Sequence, residues 1–129
     1  MEIKDSKFYR DKCFINGEWV NADSGETISV NNPANLKEIG TVPKCGTSET
    51  RNAIEAANNA WPEWRAKSAR QRSEILRKWF DLMIENKEEL AQIMTVEQGK
   101  PINESRGEIG YGASFVEWFS EEAKRVYGD

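Results

Sequence analysis

Cys13 and Cys45 are the only thiols of the chain, and histidine is absent altogether. Cys45 lies just ahead of a helical pattern, where the positive end of a helix dipole lowers a thiol pKa and favours a nucleophilic or redox role. Neither cysteine has a histidine to act as its base, so a Ser-His-Asp or Cys-His arrangement and a Cys-His zinc set are all excluded. Both therefore read as free thiols of a reducing compartment. Residues 97–101, Glu-Gln-Gly-Lys-Pro, set a glycine beside a lysine, as phosphate loops do. A Walker A loop also needs a glycine five residues before that pair and a Ser or Thr directly after it, so that amides wrap the phosphates and a hydroxyl reaches magnesium. Met94 and Pro101 hold those positions. The stretch reads instead as a glycine C-cap at Gly99 with Pro101 opening the next helix.

Gly107, Gly110 and Gly112 reverse the spacing of the dinucleotide fingerprint and lie inside a helical pattern, not between a strand and a helix. They mark close approach, either of another backbone or of a ligand channel. Glu104, Glu108, Glu117, Glu121 and Glu122 share one polar helix and read as a solvated face; no pair among them suggests a glycosidase acid and base. From residues alone, no catalytic residue and no cofactor-binding residue is assembled.

These residues must be positioned by elements that a chain of 129 residues can build as one compact unit. The 18 Lys and Arg against 22 Asp and Glu give a net charge of −4, without the basic surplus that a nucleic-acid partner demands. No apolar run of about 18 residues and no apolar N-terminal stretch is present, so no membrane partner is expected, and a cytoplasmic location follows.

Residues 1–12 are polar and mixed in charge, an arm or a short helical turn. Asn16-Gly17 between β-prone runs predicts a type I′ hairpin over 13–20. Thr27 to Val30 and Ile39 to Val42 predict a second strand pair about an Asn32-Pro33 turn. A helix over 48–61 follows, capped by Thr47 or Ser48 and limited by Pro62. Ser68 and Gln71 form a capping box for a helix over 69–96 that Asn86 restarts or continues, with Ile75, Leu76, Trp79, Phe80 and Met83 as its buried stripe. In the last helix Ile109, Val116, Phe119 and Ala123 make one apolar strip and Tyr111, Phe115 and Trp118 an adjacent one. That arc is too wide for a single partner, so a packing element is expected beyond those visible in the sequence.

The blocks FINGEWV (14–20), NNPAN (31–35), EIGTVPK (38–44), AWPEWR (60–65), SARQRSEILRKWFDLM (68–83), TVEQGKP (95–101) and FVEWFSEEAKRVYGD (115–129) follow one another with a spacing that resembles the start of aldehyde dehydrogenases. Within that superfamily they are most similar to bacterial NAD(P)-dependent succinate-semialdehyde dehydrogenases. The resemblance covers residues 13–129. One departure is Asn35-Leu36, where the family often has Thr-Gly; it bears only on the form of the turn, since Asn35 also tolerates a positive φ.

The resemblance implies an α+β fragment, short N-terminal β-hairpins followed by three or four α-helices, belonging to an aldehyde dehydrogenase-like α/β fold. Residues 13–129 would be the strands and helical layer of an incomplete nucleotide-binding domain, with 1–12 as the arm. It implies NAD or NADP as cofactor of the intact protein, with none bound by this chain alone. The nucleophilic cysteine, the water-activating glutamate and the asparagine of the oxyanion site all fall beyond Asp129, and neither Cys13 nor Cys45 matches the nucleophile. Gly107, Tyr111 and Phe115 correspond to a wall of the substrate tunnel, against the alternative of plain interdomain packing. Val30, Asn31 and Glu97 correspond to a monovalent-cation site. The partners implied are the remainder of the chain and further copies in a homo-oligomer. The competing reading is a non-enzymatic truncated helical module that binds a partner or self-associates through its aromatic strip.

Overall fold

The computed structural model of the chain describes residues 3–127. They divide into two compact units: Met1–Pro62 with Val96–Gly99, and Glu63–Thr95 with Lys100–Asp129.

The first unit opens on a 3-10 turn, Ile3–Asp5, that buries Ile3 and packs on the fourth strand. Of the arm or short helical turn expected here, the turn is present at Ile3–Asp5, with Met1 and Glu2 outside the described residues. Strands β1 (Cys13–Ile15) and β2 (Glu18–Val20) pair antiparallel, with Phe14 opposite Trp19 and their ring centroids 5.1 Å apart. Asn16 and Gly17 take φ of 53° and 83°, the pair of positive angles that a type I′ turn requires. Strands β3 (Thr27–Asn31) and β4 (Glu38–Pro43) form a separate antiparallel pair, with a bulge between Val30 and Asn31.

In the β3–β4 connection Leu36, not Asn35, carries the positive φ, at 59°. Asn35 uses its side-chain oxygen to accept the Lys37 N–H at 3.0 Å, and the Leu36 N–H donates to the Asn32 carbonyl at 2.7 Å. Asn35 is therefore committed as an acceptor within the turn, and the reversal falls on the residue after it.

Helix α1 (Thr47–Ala66) also starts differently from the prediction. The carboxylate of buried Glu49 accepts the Gly46 N–H at 2.9 Å and the Asp23 N–H at 2.6 Å, while the Ser48 hydroxyl donates to the Asp23 carboxylate at 3.0 Å. An acidic residue in the first turn satisfies orphan amides and suits the dipole. Pro62 does not end α1, which runs to Ala66. Proline cannot supply the N–H to the Asn58 carbonyl, but Asn58 is exposed, so water can take that acceptor.

In the second unit α2 (Ala69–Glu85) begins with the predicted capping box: Ser68 Oγ accepts the Gln71 N–H at 3.3 Å, and Gln71 Oε1 accepts the Ser68 N–H at 2.9 Å. Asn86 closes α2, its amide donating to the Leu82 carbonyl at 2.7 Å, and α3 (Lys87–Gln98) starts directly after. Residues 69–96 are thus two helices, the restart at Asn86 being the alternative realised. Helix α4 (Ile102–Glu122) follows Gly99, whose φ of 78° is the left-handed cap read from the sequence.

The packing between α2 and α4 is the main helix contact. On α4 its seam is Ile109, Ala113, Val116 and Ser120, spaced four, three and four, with Ala113 and Ser120 buried; Ser105, also buried, shares a hydrogen bond of 2.8 Å with Thr95 of α3. Phe119, assigned from sequence to the buried strip, is exposed. On α2 the inward line is Ser73, Leu76, Phe80 and Met83, whereas Ile75 and Trp79 are exposed together with Leu82. Small seam residues let the two helix axes approach closely, and this sends the large side chains to the flanks.

Candidate functional site

The residues that the resemblance assigns to a substrate tunnel all lie on α4, at intervals of four, so Gly107, Tyr111 and Phe115 share one face. Tyr111 is 63% exposed and Phe115 47%. Their rings meet edge to face at 4.8 Å, with 85° between the planes, an arrangement favoured by aromatic quadrupoles. Gly107 has open space where a side chain would be.

The three do not line one cavity. Phe115 joins Trp118, Phe119, Arg77, Glu117 and Arg125 around an open groove of about 800 Å³, whereas Gly107 and Tyr111 border a shallower depression with Lys100, Glu104 and Glu108. The groove is apolar along its α4 wall and charged at its rim, where Arg77 pairs with Glu117 at 3.1 Å and lies over the Phe80 ring at 4.9 Å. Sequence reasoning missed Arg77 and Phe119 as groove residues. Arg77 stood on the polar side of α2, between residues read as the buried stripe, and Phe119 fitted the buried strip by period.

Of the residues assigned to a cation, Val30 and Glu97 border one narrow cleft of about 20 Å³, together with Tyr9, Arg10 and Gly40. Asn31 follows Val30 on β3, opposite the bulge that the extra residue Ile39 makes in β4. The extra residue of a bulge is left unpaired, here Ile39 and neither Val30 nor Asn31; a carboxylate with carbonyls is the oxygen-only set that hard cations prefer. The donors fit by type. The guanidinium of Arg10 on the same wall opposes a cation; its Nη1 donates to the carbonyls of Lys7 and Tyr9 at 2.8 and 2.6 Å. Among the described residues there is no group of three or more Cys, Asp or Glu that could hold a metal.

The remaining candidates settle as structure. Lys100 of the Glu-Gln-Gly-Lys-Pro stretch pairs with Glu108, so its ammonium is occupied by a carboxylate of the next helix. Glu117, Glu121 and Glu122 pair with Arg77, Lys124 and Arg125, as a solvated charged face does. Gly110 faces the end of the Lys87 side chain and Gly112 the Met83 methyl, so the close neighbours of these glycines are side chains and not another backbone. Arg106 grips Glu88 with two hydrogen bonds, of 2.7 and 2.8 Å; these, then one from Gln92, hold the Glu88 carboxyl down at about 2.

Cys13 and Cys45, read as unrelated thiols, lie with their sulfurs 3.6 Å apart. The hydrogen bond to Cys13, followed by burial and the charges of Glu49 and Asp23, raises the Cys45 pKa. This is the reverse of an activated nucleophile. No helix among the described residues is long and apolar enough to cross a membrane.

Among the described residues, two pairs of short antiparallel strands and four α-helices make up an α+β segment. The chain belongs to the aldehyde dehydrogenase family, whose model matches residues 19–129. It is 61% identical over its whole length to glutarate-semialdehyde dehydrogenase of Pseudomonas putida and 57% identical to the NADP+-linked succinate-semialdehyde dehydrogenase of Escherichia coli, covering 27% of each. The crystal structure of succinate-semialdehyde dehydrogenase from Burkholderia pseudomallei superposes with a TM-score of 0.93 at 56% identity, over 98% of this chain and 26% of that one. The chain thus spans about a quarter of the length of these relatives.

Proposed function

We propose that this chain is the N-terminal part of an NAD(P)+-dependent aldehyde dehydrogenase that oxidises succinate semialdehyde to succinate, and that its 129 residues alone are inactive. The observation that carries the reading is identity of 57–61% along the entire chain to enzymes named for succinate and glutarate semialdehydes. Both aldehydes carry a carboxylate at the far end of a short aliphatic chain. The nicotinamide cofactor of the intact protein accepts the hydride from the aldehyde carbon.

In this reading residues 13–129 supply the strands and helical layer beside the nucleotide-binding domain, with 1–12 as the arm. Gly107, Tyr111 and Phe115 give the tunnel an apolar wall for the aliphatic part of the substrate, and the edge-to-face rings keep that wall stiff. Val30, Asn31 and Glu97 offer main-chain oxygens and a carboxylate to a monovalent cation. The intact protein works as a homo-oligomer in the cytoplasm, without nucleic acid or membrane as partner.

The test is coenzyme reduction by the purified chain, supplied with succinate or glutarate semialdehyde and either NAD+ or NADP+. No NAD(P)H should form above the rate without protein. Sustained turnover abolished by removing the aldehyde would overturn the inactivity of the chain.

A further inference from the structure

We propose that Cys13 and Cys45 are a modification site, a dithiol that closes to a reversible intrachain disulfide under peroxide and tethers the first hairpin to the loop ahead of α1. Three observations carry this.

The two sulfurs already touch, at 3.6 Å, and both side chains are half-buried, so each thiol is shielded from other chains while facing its partner. Bonding requires closure to about 2.05 Å, a movement of about 1.6 Å. Cys45 lies in the stretch between Pro43, the end of β4, and Thr47, the start of α1, which has no regular structure, although Lys44 and Gly46 on either side of it are hydrogen-bonded. Cys13 stands at the free beginning of β1.

The place of the bond gives it a consequence. Strands β1 and β2 form one sheet and β3 and β4 another, with no ladder between the two. Cys13 and Cys45 are 32 residues apart, one the first residue of the first hairpin and the other just after the second. A disulfide there closes a loop around both hairpins and removes chain entropy from the unfolded state.

The chemistry balances in two steps. One thiolate attacks hydrogen peroxide, the O–O bond breaks, and a sulfenic acid and hydroxide result; the hydroxide takes up the proton that the thiol had lost and leaves as water. The second thiol displaces hydroxide from that sulfur; the S–S bond forms and a second water leaves with the remaining proton. Two thiols are oxidised by two electrons and one peroxide is reduced. A dithiol reductant reverses the modification by thiol–disulfide exchange.

The chain has no other cysteine, so the experiment is unambiguous. The reduced chain is treated with hydrogen peroxide at low protein concentration, and free thiols, intact mass and the disulfide-linked peptide are measured. Both thiols should disappear together, with loss of two hydrogen atoms in mass and a linked peptide containing Cys13 and Cys45. Dithiothreitol should restore both thiols. The oxidised chain should also unfold at a higher urea concentration than the reduced chain. The proposal is overturned if oxidation gives only disulfide-linked dimers or stops at sulfinic acids without a cross-link. It is equally overturned if the linked chain unfolds at the same urea concentration as the reduced one.

Discussion

Replacing Gly99 by alanine probes the turn that ends α3, and its cost has two separable parts. The first is conformational. At φ 78° Gly99 is left-handed, and an L-residue held there costs about 1–2 kcal/mol. The second is steric: a Cβ on Gly99 would lie 2.7 Å from Cγ and 3.6 Å from Cβ of Pro33. These are ring atoms with no rotamer to escape into, so the turn carrying Pro33 must move, an overpacking of about 1–3 kcal/mol. Alanine also restricts the unfolded chain, which offsets about 0.4–1 kcal/mol. The net expectation for Gly99→Ala is a destabilisation of about 1–4.5 kcal/mol. In a Pro33→Ala background the steric part disappears and the same change should cost only about 1 kcal/mol. Urea unfolding of the four chains in this double-mutant cycle, followed by far-UV circular dichroism, measures both quantities. A Gly99→Ala chain as stable as the parent would refute the left-handed cap. An equal cost in both backgrounds would refute the contact with Pro33.

Leu36→Gly should stabilise the chain, because Leu36 is 79% exposed and holds a φ of 59° without packing to compensate; urea unfolding should show a gain of up to about 1 kcal/mol, and a loss would contradict the strained turn. The Glu88 carboxyl should titrate at about 2 by carbon NMR and return toward its ordinary value of 4.5 in Arg106→Met, whereas an unchanged titration would sink the pairing. Since the folded pKa is the lower one, the Glu88–Arg106 pair stabilises fully above the ordinary carboxylate value and is lost as pH falls through about 2. Tyr111, Phe115 and Trp118 should drive self-association of the isolated chain, detected by sedimentation at high micromolar concentration and relieved by Trp118→Glu. A parent chain that stays monomeric throughout would count against it.

Local signals were legible wherever one residue type dictates the backbone. Asn16-Gly17, the Ser68–Gln71 box and Gly99 each act through a neighbouring amide or a positive φ, and the structure places all of them as read. What misled the reading was size. The α2–α4 seam buries Ser73, Ala113 and Ser120, small residues that carry little weight in a hydrophobicity pattern. Close helix approach buries these small groups and turns Ile75, Trp79 and Phe119 outward. The apolar period was present, but which of two adjacent strips faced the partner was decided by volume.

For the candidate site, the exposed aromatic strip of α4 was legible because its arc exceeded one partner. Trp118 is 63% exposed, like Tyr111. The approach of Cys13 to Cys45 was not legible, since nothing in the local sequence links a strand start to a loop 32 residues away. The burial of Glu49, which ties Asp23 to the start of α1, was hidden for the same reason.

The central claim, that these residues perform the N-terminal part of a semialdehyde dehydrogenase fold, is tested most directly by exchange. This chain replaces the segment that it matches in the Escherichia coli succinate-semialdehyde dehydrogenase, to which it is 57% identical over its full length. The purified chimera is assayed for NADP+ reduction with succinate semialdehyde, beside the chain alone. The account predicts turnover by the chimera and none by the chain. A folded chimera without activity, or turnover by the chain alone, would contradict it.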